Sequence, residues 1–228
     1  MTSKSLIYGH RGVPVKFPEN SLAGFAYAVD QKIDGLEFDV HLTKDSVPVI
    51  MHDEKIDRTT DGQGKISDYT YAELRQFSLA NGEPVPSLKE LLDLVSGEPV
   101  HLNLEFKTDK HYYQGIERIV LRLVHQADLV YPVVFSSFNL HSLERGYRLD
   151  PSQKYAFLSA AHIGNPEDFC ASEHLEGLHL EHYQTMSSVS ERVWTVDDPD
   201  EMRQLFDKQV SAVITNNFEL ARDVRAVS

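Results

Sequence analysis

Two spacings of apolar residues share this chain. Runs such as Leu36-Phe38-Val40-Leu42 and Leu102-Leu104-Phe106 take every second position, the period of a strand with two unlike faces. Between such runs the apolar positions fall three and four apart, the period of an amphipathic helix. Candidate strands are 5–10, 35–42, 47–52, 100–107, 132–137, 154–159, 177–182, 192–197 and 211–216. Helical patterns occupy 21–32, 87–96, 112–127, 139–147, 166–173, 199–209 and 217–226. Ser87 and the pair Asp198-Pro199 supply helix starts, by side-chain capping and by a proline in the first turn. Strand and helix alternate along the whole chain, which predicts repeated βα units around a parallel sheet, an α/β fold.

Two stretches break that alternation. Residues 53–86 carry the turn signal Asp61-Gly62-Gln63-Gly64 and a short helical pattern at 71–77, and predict an insertion that serves as a lid or cap. The segment 183–191 leaves only nine residues between two strands. A crossover usually takes a dozen or more, so one helical turn at most is expected there.

The chain has 228 residues, within reach of one α/β barrel, for which roughly 250 is usual, and a single domain spanning 1–228 is expected. Hydrophobic residues make up 41% and charged residues 25%, enough to bury a core and too apolar for a disordered chain. A net charge of −13 argues against nucleic acid or an anionic membrane as partner, since both call for clustered Lys and Arg. Cys170 is the only cysteine, which excludes an intrachain disulfide and a Cys-based zinc site; a small buried apolar role suits it. No apolar run reaches about 18 residues and the start lacks a secretory apolar core, so a cytoplasmic protein without stable membrane association is expected.

The strand period sorts the polar residues. Glu37, Asp39 and His41 share one face of 35–42, and His101, Asn103, Glu105 and Lys107 share one face of 100–107. With the apolar faces under helices, these polar faces line the interior of the sheet. One acid there is readily explained by a pair with Lys107 or Arg11. Two strands with the same pattern favour a divalent cation held by Glu37, Asp39 and Glu105, and an all-carboxylate set points to magnesium or calcium. His10 and His52 each close an apolar run and titrate near neutral pH, so one can take a proton from a nucleophile while the other gives one to a leaving alkoxide. Arg11 can fork onto two phosphate oxygens. Asp53 either orients His52 or caps the loop after it.

The segments His10-Arg11-Gly12, Pro18-Glu19-Asn20-Ser21, Glu37-Phe38-Asp39, Val49-Ile50-Met51-His52-Asp53, Asp57-Arg58-Thr59-Thr60, Leu104-Glu105-Phe106-Lys107, Ser136-Ser137-Phe138 and Trp194-Thr195 resemble, in order, the glycerophosphodiester phosphodiesterases. The resemblance covers nearly the whole chain. It implies a (β/α)8 TIM barrel with a small insertion after the second strand, a divalent metal ion, and hydrolysis of glycerophosphodiesters to glycerol 3-phosphate and an alcohol. Position by position it implies His10 and His52 as the acid/base pair and Glu37, Asp39 and Glu105 as metal ligands. Arg11 and Lys107 become the phosphate clamp, Trp194 a substrate-stacking ring, and Glu19 a supporting acid that binds the metal or orients Arg11. Two departures fall on the later rim: Asp197 stands where the family has Asn, and Asn216 where it has Asp.

Two rivals remain. A phospholipase-D-like enzyme acting on lysolipids would share the fold and favour an apolar rim. A non-catalytic barrel binding metabolites or metal would have no need of matched histidines. His179, Glu181 and His182 suggest a second metal site, although His182 does not share the face of the other two.

Overall fold

A computed structural model describes residues 5–227. Met1 to Lys4 and Ser228, which fall within the expected single domain, lie outside the described residues. In chain order the elements are β1 (Leu6–His10), α1 (Leu22–Asp30), β2 (Gly35–Leu42), β3 (Pro48–Ile50), α2 (Tyr71–Leu74), α3 (Leu88–Leu94), β4 (His101–Phe106), α4 (Ile116–Gln126), β5 (Val134–Ser137), α5 (Leu140–Leu149), β6 (Lys154–Ser159), α6 (Pro166–Ser172), β7 (Gly177–Leu180), β8 (Ser190–Val193), α7 (Pro199–Asp207), β9 (Ala212–Thr215) and α8 (Phe218–Val227). Eight strands run parallel, and pairing of β1 with both β2 and β9 closes them into a (β/α)8 barrel. No helix among the described residues is long and apolar enough to cross a membrane.

The alternation read from the sequence decides what fills each side of the sheet. Leu36, Phe38, Val40, Leu102, Leu104 and Phe106 are buried beneath the helices, whereas Glu37, Asp39, Asn103 and Glu105 point into the barrel. Gly35 belongs to that packing, because a Cβ there would lie 2.6 Å from the Tyr8 ring inside the barrel. Ser87 caps α3 in a reciprocal arrangement with Glu90, and Asp198 accepts from two backbone N–H groups at the start of α7, as their sequence contexts predict. Cys170 is buried with Leu178 and Leu180.

Two expectations need correction. The run 47–52 is not a barrel strand: β3 pairs antiparallel with β2, because only five residues join them and so short a link makes a hairpin. The strand expected at 192–197 spans 190–193, which leaves Trp194 just past its end. No helix forms between β7 and β8, so the barrel lacks its sixth helix, in keeping with the short spacing there. The segment 53–86 folds around an apolar cluster of its own, with Ile56, Ile66, Leu74 and Val85 buried against Val49 and Met51 of the hairpin.

Candidate active site

Register brings the acids together. Glu37 lies level with His10 on one side and Asn103 on the other, and Asp39 lies level with Glu105 one row nearer the mouth. Ligand oxygens of Glu37, Asp39 and Glu105 all fall within 4.8 Å of one another, and all three residues are buried. Burial and the neighbouring charges of Asp39 and Glu105 push Glu37 well above the usual carboxylate range. Burial likewise carries Glu105 up to about 7 against the pull of Lys107. For Asp39, burial is outweighed by Lys107, His52, Arg11 and the Asn20 amide, which together hold its carboxyl at about 2. Three buried carboxyls so close, two of them reluctant to ionise, make an all-oxygen donor set suited to a hard divalent cation.

The loop after β1 wraps this cluster. Arg11 and Gly12 both take positive φ, 53° and 89°, and the resulting tight turn aims the Arg11 backbone N–H at Glu37 Oε2, 3.0 Å away. The Arg11 side chain donates from Nη1 to Glu19 Oε1 at 3.1 Å, and its Nε lies 3.6 Å from Asp39 Oδ2. Asn20, also at positive φ, donates to Asp39 Oδ2 at 2.9 Å. Lys107 is buried behind the acids, 2.9 Å from Glu105 Oε1 and 3.6 Å from Asp39 Oδ1. Glu19 thus holds Arg11, and its other partner is Arg58 of the insertion, which donates to both Glu19 oxygens at 2.7 and 2.8 Å.

Each candidate histidine has one ring nitrogen anchored. His52 Nδ1 lies 2.7 Å from Asp53 Oδ1, and Arg58 Nε donates to the other Asp53 oxygen at 2.7 Å. Asp53 therefore orients His52. The hairpin supplies the position, since β3 runs back along β2 and returns His52 to the level of the acids. His41 secures the return: burial holds its pKa down to about 4, so the neutral ring donates from Nε2 to the His52 carbonyl at 3.1 Å and accepts from the Tyr113 hydroxyl at 2.9 Å. His10 Nδ1 lies 2.8 Å from Asn216 Oδ1, and burial together with Arg11 depresses its pKa.

These groups face one cleft. His10, Arg11, Glu37, His52, Asn103 and Glu105 form its polar wall, and Phe138, Leu158, Trp194 and Ile214 its apolar one. Trp194 stands edge-on to Phe138 with ring centroids 5.6 Å apart, and its indole N–H has no partner. The proposed trio His179, Glu181 and His182 does not assemble. His179 is sealed inside the barrel against Arg192, while Glu181 and His182 are exposed, and the acid trio is the sole metal-competent cluster among the described residues. Arg58, His41, Tyr113, Asn216 and Asp197 support the site without having been singled out as such in the sequence. The signals available were that His41 shares the face of Glu37 and Asp39, that Arg58 stands in a segment resembling the family, and that Asp197 and Asn216 depart from the expected pattern.

The chain matches the glycerophosphoryl diester phosphodiesterase family over residues 10–220. It belongs to that family. It is 30% identical to a glycerophosphodiester phosphodiesterase of Caldanaerobacter subterraneus subsp. tengcongensis, over 95% of this chain and 96% of that protein. A phosphodiesterase of Oleispira antarctica, solved in complex with the product sn-glycerol-3-phosphate, superposes with a TM-score of 0.90 at 26% identity, covering 97% of this chain and 96% of the other. The glycerophosphodiester phosphodiesterase of Thermotoga maritima superposes with a TM-score of 0.78 at 26% identity, over 99% of this chain and all of that one. Membership in this phosphodiesterase family agrees with an acidic cluster compatible with a divalent metal ion beside two anchored histidines.

Proposed function

We propose that this protein hydrolyses glycerophosphodiesters to sn-glycerol 3-phosphate and an alcohol, with magnesium or calcium held by Glu37, Asp39 and Glu105. The observation that carries the reading is one cleft lined by Glu37 and Glu105 of the acid trio and by two histidines, each tied by Nδ1 so that only Nε2 is left for substrate. A divalent ion in that seat supplies Lewis acidity to the phosphoryl oxygens and offsets the charge of the acids. The positive charge that meets the phosphate comes from Arg11 on the cleft wall and from Lys107 behind Glu105.

His10 is held neutral by burial and by Arg11, which suits it to take the proton of the attacking oxygen at Nε2. As the new P–O bond forms, the bond to the leaving alkoxide breaks and His52, backed by Asp53, gives that alkoxide its proton. Trp194 and Phe138 form the wall on which a glycerol or alcohol moiety packs. The insertion 53–86 acts as a cap within one domain, and through Arg58 it ties together the supports of Arg11 and His52. A cytoplasmic setting suits the single buried cysteine, which needs no oxidising compartment.

A metal-replete assay across a panel of glycerophosphodiesters, with glycerol 3-phosphate detected enzymatically, tests the reading. Turnover that a chelator abolishes and magnesium or calcium restores is the expected result. Full turnover in excess chelator, or release of a product other than glycerol 3-phosphate, would refute it.

A further inference from the structure

The two late-rim departures from the family pattern, Asp197 and Asn216, touch each other, and Asn216 touches His10. Asn216 Nδ2 donates to Asp197 Oδ2 at 2.6 Å, and Asn216 Oδ1 lies 2.8 Å from His10 Nδ1. Asp197 is itself fixed, because its Oδ1 accepts from the Asn216 backbone N–H at 2.8 Å and from Thr215 Oγ1 at 2.9 Å. The amide cannot be turned over, since that would set its oxygen against a carboxylate oxygen, two acceptors at 2.6 Å. With the amide oxygen committed to His10, the nitrogen facing it must be the donor.

A neutral imidazole in water carries its proton mainly on Nε2. Here the partner demands it on Nδ1. We propose that Asp197 and Asn216 are positioning residues that hold His10 as the Nδ1-protonated tautomer and so turn the Nε2 lone pair to the cleft. The inference rests on reading His10 as an acid/base group, and it assigns to two loops on neighbouring strands, after β8 and β9, the task of setting which nitrogen reacts. Their exchanged residue types belong together: a carboxylate next to an amide gives one donor–acceptor contact between the side chains, whereas two carboxylates at that distance would repel.

Nitrogen-15 NMR on histidine-labelled protein at pH 8, with His10 assigned by its loss in His10→Gln, reads the tautomer without reference to turnover. The wild type is expected to show a pyrrole-type Nδ1 and a pyridine-type Nε2 at His10. Asn216→Ala should return His10 to the Nε2-protonated form and lower kcat by about a hundredfold with little change in KM, the scale of a lost general-base contribution. Asn216→Asp alone should lose activity, and adding Asp197→Asn should recover both the Nδ1-protonated tautomer and most of the wild-type rate. A wild-type His10 protonated on Nε2 would overturn the proposal, as would an Asn216→Ala variant with tautomer and kcat unchanged. Should that variant fail to fold, the wild-type spectrum still decides. A wild type inactive on every glycerophosphodiester defeats the functional reading instead, and leaves the tautomer measurement as the test of the relay.

Discussion

Metal binding should release protons, and the acid trio fixes how many and at what pH. Burial has lifted Glu105 to about 7, so at pH 7 about half of the molecules carry a proton there that an incoming cation must displace, and Glu37, also raised by burial and by its acidic neighbours, adds to the release. The sign follows: a carboxyl with a raised pKa stays protonated below that value, so affinity grows as pH rises through it. For Glu105 alone the fraction ready to bind is about one in eleven at pH 6 and nine in ten at pH 8, a tenfold gain worth about 1.4 kcal/mol. Glu37 steepens the dependence, whereas Asp39, held at about 2, adds nothing above pH 5. Calorimetric titration with magnesium and calcium in buffers of different ionisation enthalpy counts the protons directly. Glu105→Gln should bind metal more weakly overall yet release one proton fewer, with a shallower pH slope. Equal affinity at pH 6 and pH 8, or the same proton count in wild type and Glu105→Gln, would refute the reasoning.

Other consequences are independent of that titration. His52→Ala should lower kcat by about a hundredfold on an alkyl diester and far less on a nitrophenyl diester, whose phenolate leaves without a proton; equal losses on both would place the acid elsewhere. Arg58→Ala removes the tie between Glu19 and Asp53 and should lower kcat severalfold while costing under about 1 kcal/mol of stability in urea unfolding, because the side chain is half exposed. An unchanged kcat would show that the insertion does not brace His52. Glu191 accepts from the Gln184 backbone N–H, and burial raises its carboxyl to about 7, above its unfolded value; its ionisation therefore destabilises the fold as pH rises through that range. Glu191→Gln should stabilise the protein at pH 8 by up to about 3 kcal/mol and leave it unchanged at pH 4, and unfolding midpoints that move equally at both would sink the argument.

Which of these features the sequence discloses follows from the range over which each cause acts. Alternation is local, so the face shared by Glu37 and Asp39, and that shared by Asn103 and Glu105, could be read from spacing alone, and the barrel needed only to bring the two faces level. The hairpin that returns His52 was less legible: the run 47–52 has strand composition, and whether it extends the barrel or folds back depends on the short link after Leu42. Glu19 had two candidate roles, and its hydrogen bonds to Arg11 and to Arg58, 39 residues further on, depend on contacts that local sequence does not display. Asp197 and Asn216 were visible only as departures from a pattern, with no reason to pair them until the neighbouring ends of β8 and β9 set them in contact. Two departures in contact carry a different meaning from two departures apart. Each alone would weaken the support of His10, by removing an acceptor or by leaving a carboxylate without a donor, whereas together they conserve the hydrogen bond that His10 requires and move the negative charge one residue further from its ring.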